Sequence, residues 1–152
     1  MKIDLPYTFS GVRADEAPAV LELISACELH TEDLTPEKLR DFIVCRKGEK
    51  IVGVVGLEIA DSCALLRSLA VAERFRNLGI ASRLVDSAQR YARSRGIGTL
   101  YLLTMTAEQF FLHQGYRSTP RSEAPEAMQH TSEFMNMCPD SAVCMRKNIA
   151  IP

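Results

Sequence analysis

The segment from Leu65 to Ser82 contains residue types and spacings that suit phosphate binding. An apolar stretch predicts a strand, a loop with three charged side chains and Gly79 follows, and a long helix then begins. Backbone N–H groups at a helix start bind anions, and the positive end of the helix dipole reinforces them. Gly79 and Ala81 are small enough for a phosphate to approach the main chain, and Arg74 and Arg76 add positive charge. The segment therefore predicts a diphosphate cradle, with an ordinary strand-to-helix turn as the alternative.

The composition limits the classes of protein that come into question. A length of 152 residues suits one domain spanning 1–152, and a hydrophobic fraction of 47% is enough for a core. The formal net charge of −1 argues against a general nucleic-acid binder. No apolar run approaches the roughly 20 residues of a membrane helix, and Met1–Ser10 lacks an apolar stretch of signal-peptide length. We expect a cytoplasmic protein with neither a nucleic-acid nor a membrane partner.

The cysteines predict neither a disulfide framework nor a metal site. There are five of them, scattered along the chain and never in a CxxC pair. Cys138 and Cys144 are separated by six positions, which invites the idea of a thiol site for arsenic. We interpret both as structural thiols, because nothing in their spacing requires them to meet.

The order of apolar and polar segments predicts an α/β domain. Short strands joined by few residues indicate antiparallel hairpins, while Ile80, Leu84 and Ala88 recur at helical spacing. Gly53 and Gly56 suggest a bulge or a close approach to the backbone. The predicted strands are Phe9–Arg13, Phe42–Arg46, Lys50–Ala60, Cys63–Val71, Thr99–Thr104, one from Tyr116, and Ser141–Ile149. The predicted helices begin near Asp15, Pro36 (running to Phe42), Ile80 and Ala107. A polar loop with one helical turn spans Pro120–Pro139. These elements form a mixed, mostly antiparallel sheet of six to seven strands flanked by about four helices.

Four landmarks in this order resemble the coenzyme-A-binding core of the GNAT acetyltransferases. "SLAV" is similar to the strand that ends in L-A-V, and "RNLGIA" to the R-x-x-G-x-A at the helix start. "RGIG" then leads into the next strand, and "AEQFFLHQGY" resembles the family's short helix ending in glycine and an aromatic residue. The resemblance covers roughly Lys50 to Tyr116. It implies the GNAT fold and acetyl-coenzyme A (acetyl-CoA) as co-substrate, with no metal.

The resemblance also implies roles for individual residues. Backbone groups of Leu69, Ala70 and Val71 would pair with the pantetheine arm where two strands splay apart. A neutral amine would attack the thioester carbonyl, polarised by a backbone N–H near Val71, and thiolate would leave. The pyrophosphate would be held by the amides of Arg76, Asn77, Leu78, Gly79, Ile80 and Ala81, with Ser82.

The acid and base of the family's usual pattern are missing here. Phe111 stands where many members carry a tyrosine that protonates the thiolate, so we assign it only to cofactor contact, and Tyr116 suits a buried strand position. The glutamate that some members carry before L-A-V is also absent. Glu58, the one ionisable residue in Ile51–Ala60, is the substitute candidate base, through an ordered water. A solvated or paired edge charge is the alternative.

Arg67 is the second charged residue in an apolar strand. It alternates with Leu65, Leu69 and Val71, which predicts one shared face. A guanidinium there needs a partner. A substrate carboxylate would serve bidentately, and a salt bridge to Glu58 is the compatible alternative.

Within the family, "LYLLTMTAEQFFLHQGY" resembles amino-acid N-acetyltransferases, including those that acetylate glutamate. "CPDSAVCMRKNI" is similar to their last strand, where a serine matching Ser141 helps to hold the amino acid, although Pro139 replaces a frequent arginine. "APEAMQHTSEF" with "CPDSA" resembles GNAT proteins encoded with arsenic-resistance genes. We therefore expect acetyl transfer to a small amino acid or analogue. A protein or peptide acceptor, a non-catalytic acetyl-CoA sensor and a homodimer stay open.

Overall fold

The protein contains a mixed β-sheet in the computed structural model, which describes residues 6–150. Its strands are β1 (Tyr7–Gly11), β2 (Phe42–Lys47), β3 (Lys50–Ala60), β4 (Cys63–Val71), β5 (Thr99–Thr104), β6 (Arg117–Ser118) and β7 (Val143–Asn148). They lie in the order β1-β2-β3-β4-β5-β7-β6. β4 pairs with β5 in parallel, whereas β1–β2, β2–β3, β5–β7 and β6–β7 are antiparallel. The predicted α/β fold with a mixed, mostly antiparallel sheet is therefore confirmed.

Five α-helices accompany the strands within the described residues. They are α1 (Ala17–Ala26), α2 (Pro36–Leu39), α3 (Ile80–Ser94), α4 (Glu108–His113) and α5 (Glu126–Gln129). Short 3-10 helices lie at Ala14–Glu16, Glu73–Phe75 and Arg121–Glu123, and a π-helix lies at Glu133–Met137. Between residues 6 and 150, no helix is long and apolar enough to cross a membrane.

Several predicted boundaries were wrong. β1 ends at Gly11 instead of Arg13, because the Arg13 backbone N–H bonds to Glu16 and opens a helical turn. Thr35 caps α2 as predicted, accepting a hydrogen bond from Lys38 N at 3.3 Å, but the helix stops at Leu39 since Phe42 already belongs to β2. Residues 1–5 of the N-terminal segment Met1–Ser10 lie outside the described residues.

The end of the chain departs furthest from expectation. The loop Pro120–Pro139 was predicted with one helical turn and contains three short helical segments. Hydrogen bonds from Arg121 and Gln129 to backbone carbonyls stabilise them. Those of Arg121 reach residues 12 to 18 positions away, and a local sequence pattern does not encode such contacts. β7 begins at Val143 rather than Ser141, because Ala142 N bonds to Pro139 O at 3.0 Å and closes a turn first.

The chain divides into two compact units, and the first contains residues up to Gly56 together with Ser68–Ala88. Its core packs α1 against β2 and β3 through Val20, Ile24, Phe42, Val44, Val54 and Ala70. The β2–β3 register shifts where Cys45 pairs with Gly53 and Arg46 with Ile51, so the predicted bulge is present. A Cβ on Gly56 would lie 2.3 Å from the Phe42 ring, which explains the glycine there.

Arg46 fixes the N-terminal part of this first unit. Its side chain is 2% exposed, with Nε 2.7 Å from Glu16 Oε2 and Nη2 2.6 Å from Glu16 Oε1. Further hydrogen bonds reach Ser10 Oγ and Gly11 O. The Arg46 hydrogen bonds lower the pKa of Glu16 to about 2, against the opposing effect of burial.

The second unit contains Leu57–Arg67 and the residues from Gln89 onward. β7 lies between β5 and β6, and an apolar cluster forms on this part of the sheet. That cluster contains Ala60, Cys63, Leu65, Tyr101, Ala124, Met128, Phe134 and Cys144. All five cysteines are free thiols, as predicted.

Candidate active site

The anion cradle is predicted at the turn before α3, where two residues have a left-handed backbone conformation. Asn77 and Gly79 both have positive φ, at 63° and 81°, and the residues from Arg76 to Gly79 are exposed. Arg83 N donates to Gly79 O at 3.2 Å. The helical residues before Arg83 lie in the first turn of α3. Their N–H groups have no carbonyl one turn earlier in the helix to donate to. Apart from Gly79 itself and its two chain neighbours, no atom of residues 6–150 lies within 4 Å of a Cβ built on Gly79, so the space in front of this turn is open.

Two side chains at the predicted cradle, those of Arg76 and Ile80, are engaged by other parts of the protein. The Arg76 guanidinium folds back, with Nε donating to Val71 O at 3.0 Å and Nη2 lying 3.6 Å from Cys27 Sγ. Arg76 therefore ties the loop to the end of β4. Ile80 is buried in the core at 2% exposure, so only its backbone can face a ligand, whereas Ala81 and Ser82 are half-buried.

β4 is not a regular strand along its whole length. Ser68 has φ 59°, in the left-handed region, which interrupts the alternation of side chains. The predicted shared face of Arg67 with Leu65, Leu69 and Val71 rests on regular alternation, which Ser68 interrupts. A serine gives no sequence signal for positive φ. The parallel pairing with β5 covers only Cys63–Leu65, although β4 continues to Val71.

Arg67 holds two carboxylates within the second unit. Its side chain has 0% exposure; Nη1 lies 3.0 Å from Glu58 Oε1 and Nε lies 3.1 Å from Glu133 Oε2. The Glu58 and Glu133 side chains are 18% and 10% exposed. The salt bridge between Arg67 and Glu58 is therefore confirmed. Glu133 was missed, because it lies in a polar segment with no periodic pattern to indicate burial.

The segment that presents Glu133 is held by Arg121. One guanidinium nitrogen, Nη2, donates to the carbonyl oxygens of Glu133, Phe134 and Cys138 at 3.0–3.2 Å, and Nη1 donates to Pro139 O at 2.9 Å. The same guanidinium stacks over the Phe134 ring at 5.5 Å. This contact set fixes the π-helix and hence the position of the Glu133 carboxylate.

Cys138 adds a thiol to the Glu133 carboxylate. Its Sγ donates to Glu133 Oε1 at 3.6 Å. Burial, and then the charge of Glu133, raise the pKa of Cys138 to about 12. Burial also raises the pKa of Cys144. Both groups are thus protonated at neutral pH, which agrees with structural thiols.

The aromatic residues at the end of α4 are buried. Phe111 is 6% exposed and packs edge-on against Tyr116, with ring centroids 5.5 Å apart. Tyr116 is 1% exposed and its hydroxyl donates to Gln89 Oε1 at 3.1 Å, as expected for a buried residue. Lys147 Nζ reaches the same amide oxygen at 3.2 Å. The cofactor contact of Phe111 stays a prediction.

Ser141, the other predicted acceptor residue, is exposed in the turn before β7. Its Oγ lies 3.9 Å from Met105 Sδ. Its role in holding an acceptor stays a prediction. Across the described part of the chain, no group of three His, Cys, Asp or Glu side chains could hold a metal ion.

Comparisons with known proteins agree on one family. The model of the acetyltransferase (GNAT) family matches residues 10–116. An uncharacterized N-acetyltransferase of Chlorobaculum tepidum is 29% identical over 109 residues, which cover 71% of this chain and 68% of that protein. An amino-acid acetyltransferase of Pseudomonas fluorescens is 26% identical over 121 residues, or 74% of this chain, but the match spans only 28% of that longer protein.

A solved structure shows the same fold. The N-acetylglutamate synthase of Neisseria gonorrhoeae, complexed with coenzyme A and N-acetyl-glutamate, superposes with a TM-score of 0.84 at 16% identity. The superposition covers 98% of this chain and 36% of that one. At this identity the likeness concerns the fold.

Proposed function

We propose that the chain, which belongs to the acetyltransferase (GNAT) family and is an N-acetyltransferase, transfers acetyl from acetyl-CoA directly to the amine of a small amino acid or analogue. The observation that carries the proposal is the open turn at Gly79, at the start of α3 and within the family match. The complex of N-acetylglutamate synthase with coenzyme A and N-acetyl-glutamate supports both the co-substrate and the class of acceptor.

The first unit supplies the proposed cofactor contacts. The amides around Gly79 and Ala81 would hold the pyrophosphate, with Arg76, Asn77, Leu78, Ile80 and Ser82 framing it. Backbone groups of Leu69, Ala70 and Val71 would hold the pantetheine arm, and an N–H near Val71 would polarise the carbonyl. Acetyl-CoA, when bound, supplies the activated thioester. Because the cradle is made of backbone groups, its affinity depends on the conformation of the turn.

The second unit supplies the proposed proton acceptor. Glu58 is the most exposed member of the Arg67 cluster at 18%, so it is the carboxylate that a water or an amine meets first. Taking the amine proton as the nitrogen attacks is general base catalysis. An acceptor carboxylate at Arg67, the role predicted from sequence, would have to compete with two glutamates.

The identity of the acceptor and the alternatives to acetylation of a small molecule stay proposals. An arsenic-related acceptor rests on the resemblance of "APEAMQHTSEF" and "CPDSA" alone. A protein or peptide acceptor, or a sensor without turnover, is the alternative, since the usual tyrosine is replaced by Phe111. The single domain over 1–152, the homodimer and the cytoplasmic location likewise stay predictions.

The first experiment is mass-spectrometric product detection after incubation with acetyl-CoA and a pool of amino acids. The pool includes acidic amino acids and phosphorus- or arsenic-bearing analogues. Thiol-reactive dyes are avoided because the chain has five cysteines. An acetylated product establishes the class and names the acceptor. Cofactor binding without any product would contradict the proposal and favour a protein acceptor or the sensor.

A further inference from the structure

The Arg76 side chain contacts the end of β4. The sequence places this arginine at the rim of the predicted cradle, where its charge would face a phosphate. In the structure, two of its three guanidinium nitrogens are engaged within the protein. Nε donates to Val71 O at 3.0 Å, and Nη2 lies 3.6 Å from Cys27 Sγ. The guanidinium therefore already serves the protein itself before any ligand is bound.

The peptide unit that joins Val71 to Ala72 is held at both of its polar groups. Ala72 N donates to Val52 O on β3 at 2.9 Å, while Arg76 Nε donates to Val71 O. Cys27 Sγ lies 3.8 Å from the same carbonyl oxygen. Because a peptide unit is planar, fixing its N–H and its C=O fixes the orientation of the whole plane. The backbone at Val71 is thereby held in one conformation.

These contacts join three segments of the first unit. Cys27 caps the end of α1, Val71 is the last residue of β4, and Arg76 follows the 3-10 turn Glu73–Phe75. The Arg76 side chain reaches back over five positions to Val71, so its bond closes the loop between β4 and α3. Arg76 thus links the predicted cradle to the end of β4.

The end of β4 is the place where the proposed transfer needs an accurately placed group. A backbone N–H near Val71 is proposed to polarise the thioester carbonyl. Such a donor is effective only when it is fixed before the transition state forms, because a displacement of about 1 Å can cost a large part of the rate. A side chain that fixes the Val71 backbone can therefore affect the transfer step without contacting the substrate.

We propose that Arg76 is a positioning residue for acetyl transfer: through the bond from Nε to Val71 O, it holds the end of β4 in the conformation that polarises the thioester. The inference rests on the proposed acetyl transfer and its use of the Val71 backbone. What the Arg76 side chain contributes is a directed hydrogen-bond donor, rather than a positive charge on phosphate. The Arg76 backbone amide keeps its proposed place at the pyrophosphate.

Arg76 exchanges no proton and no electron pair in this step. The amine nitrogen forms a bond to the acetyl carbon, and the amine proton passes to the proposed base Glu58. The carbon–sulfur bond breaks, and its electron pair leaves on the thiolate. Arg76 acts only on the position of the backbone donor.

Two neutral substitutions test the donor. Arg76→Gln keeps an N–H donor, because its amide nitrogen follows Cδ as Nε does in arginine. Arg76→Met has nearly the same length and no donor. With an acceptor that wild type acetylates and saturating acetyl-CoA, we expect kcat to fall about tenfold in Arg76→Met and no more than about threefold in Arg76→Gln. Equal kcat values in the two variants would overturn the inference.

A third substitution tests the charge. Arg76→Lys keeps the positive charge and has a methylene group where arginine has Nε. Isothermal titration measures the Kd of adenosine 5′-diphosphate, which carries a pyrophosphate and lacks the pantetheine arm. We expect the Kd values of wild type and the three variants to agree within about threefold, as for an exposed charge. A Kd that rises in the Gln and Met variants and recovers in Arg76→Lys would show that the guanidinium acts on phosphate, and would overturn the inference.

Arg40 provides the matched controls, as an exposed arginine that caps the end of α2 in the same unit. Arg40→Gln and Arg40→Met should both have the kcat and Kd of wild type, and thermal melting verifies that every variant is folded at the assay temperature. A kcat difference between the Arg40 variants as large as that between the Arg76 variants would overturn the inference. In all these outcomes wild type turns over, so the proposed function stands. No wild-type product with any amine would overturn the proposed function and the inference together.

Discussion

Within residues 6–150, each unit of the protein buries one arginine, Arg46 in the first and Arg67 in the second, and carboxylates pair with the two in different ways. Arg46 uses Nε and Nη2 on the two oxygens of Glu16, and its other bonds reach neutral oxygens. Arg67 holds one oxygen from each of two glutamates, and these lie on different elements. In the Arg46 arrangement one arginine pairs with both oxygens of one glutamate, and we assign this pair a role in stability only. The difference teaches that two arginines of similar burial can be paired in different ways, by one carboxylate or by carboxylates from two elements.

The two units also differ in the groups that would contact a ligand. In the first unit the candidate site is backbone, at the open turn of Gly79. In the second it consists of side chains. Apart from the proposed positioning residue Arg76, substitutions in the first unit should therefore affect cofactor affinity or stability, and substitutions in the Arg67 cluster should affect turnover.

The largest effect is expected from Gly79→Asp. The change places a carboxylate against the phosphate site and a Cβ at φ 81°, so affinity for acetyl-CoA should fall by roughly a thousandfold. Isothermal titration with coenzyme A measures it. Gly96→Asp is the matched control, because Gly96 also has positive φ, at 77°, and open space around it. Equal affinity losses in the two variants would mean that backbone strain, and not the phosphate site, is responsible.

Next in size is the acid stability that Glu16 contributes. Its pKa is lowered from 4.5 to about 2, chiefly by the Arg46 hydrogen bonds. The unfolded chain therefore takes up this proton at higher pH than the folded one. The contribution, about 3 kcal/mol at most, is full above pH 4.5 and is lost as pH falls towards 2.

Urea unfolding between pH 7 and pH 2 measures this contribution, with Glu16→Gln as the comparison. The variant should be less stable at neutral pH and should lose less stability on acidification. If the stability of the two proteins changed with pH in parallel, the pairing of Glu16 with Arg46 would not contribute to stability. The kcat of Glu16→Gln at neutral pH should match wild type.

Glu58→Gln should lower kcat about a hundredfold with little change in KM for acetyl-CoA, because it removes the proposed proton acceptor. Steady-state kinetics across a pH series measure this. At high pH, where the amine is already neutral, the gap to wild type should narrow. A variant with wild-type kcat would show that Glu58 is a structural partner of Arg67, like Glu16 beside Arg46.

The sequence was informative wherever short-range pattern decides structure. The hairpins from Phe42 to Val71, α3 and its glycine stop, and Thr99–Thr104 all follow from periodicity, turn residues and caps. Gly79 could be singled out because it has no side chain to keep a phosphate from the main chain, and its positive φ is a further reason for glycine there. Arg67 with Glu58 was foreseeable, since both are charged residues in neighbouring apolar strands.

Other features were decided by the tertiary structure. Ser68 adopts a left-handed conformation that no serine signals, and Glu133 meets Arg67 across a long stretch of chain. The segment Pro120–Pro139 owes its three helical turns to contacts such as those of Arg121, since each is too short to be stable by propensity. The sequence by itself therefore determined the family and the order of strands and main helices, because these depend on local pattern. Only the tertiary structure decided that Glu133 also lies beside Arg67, because long-range packing brings the two residues together.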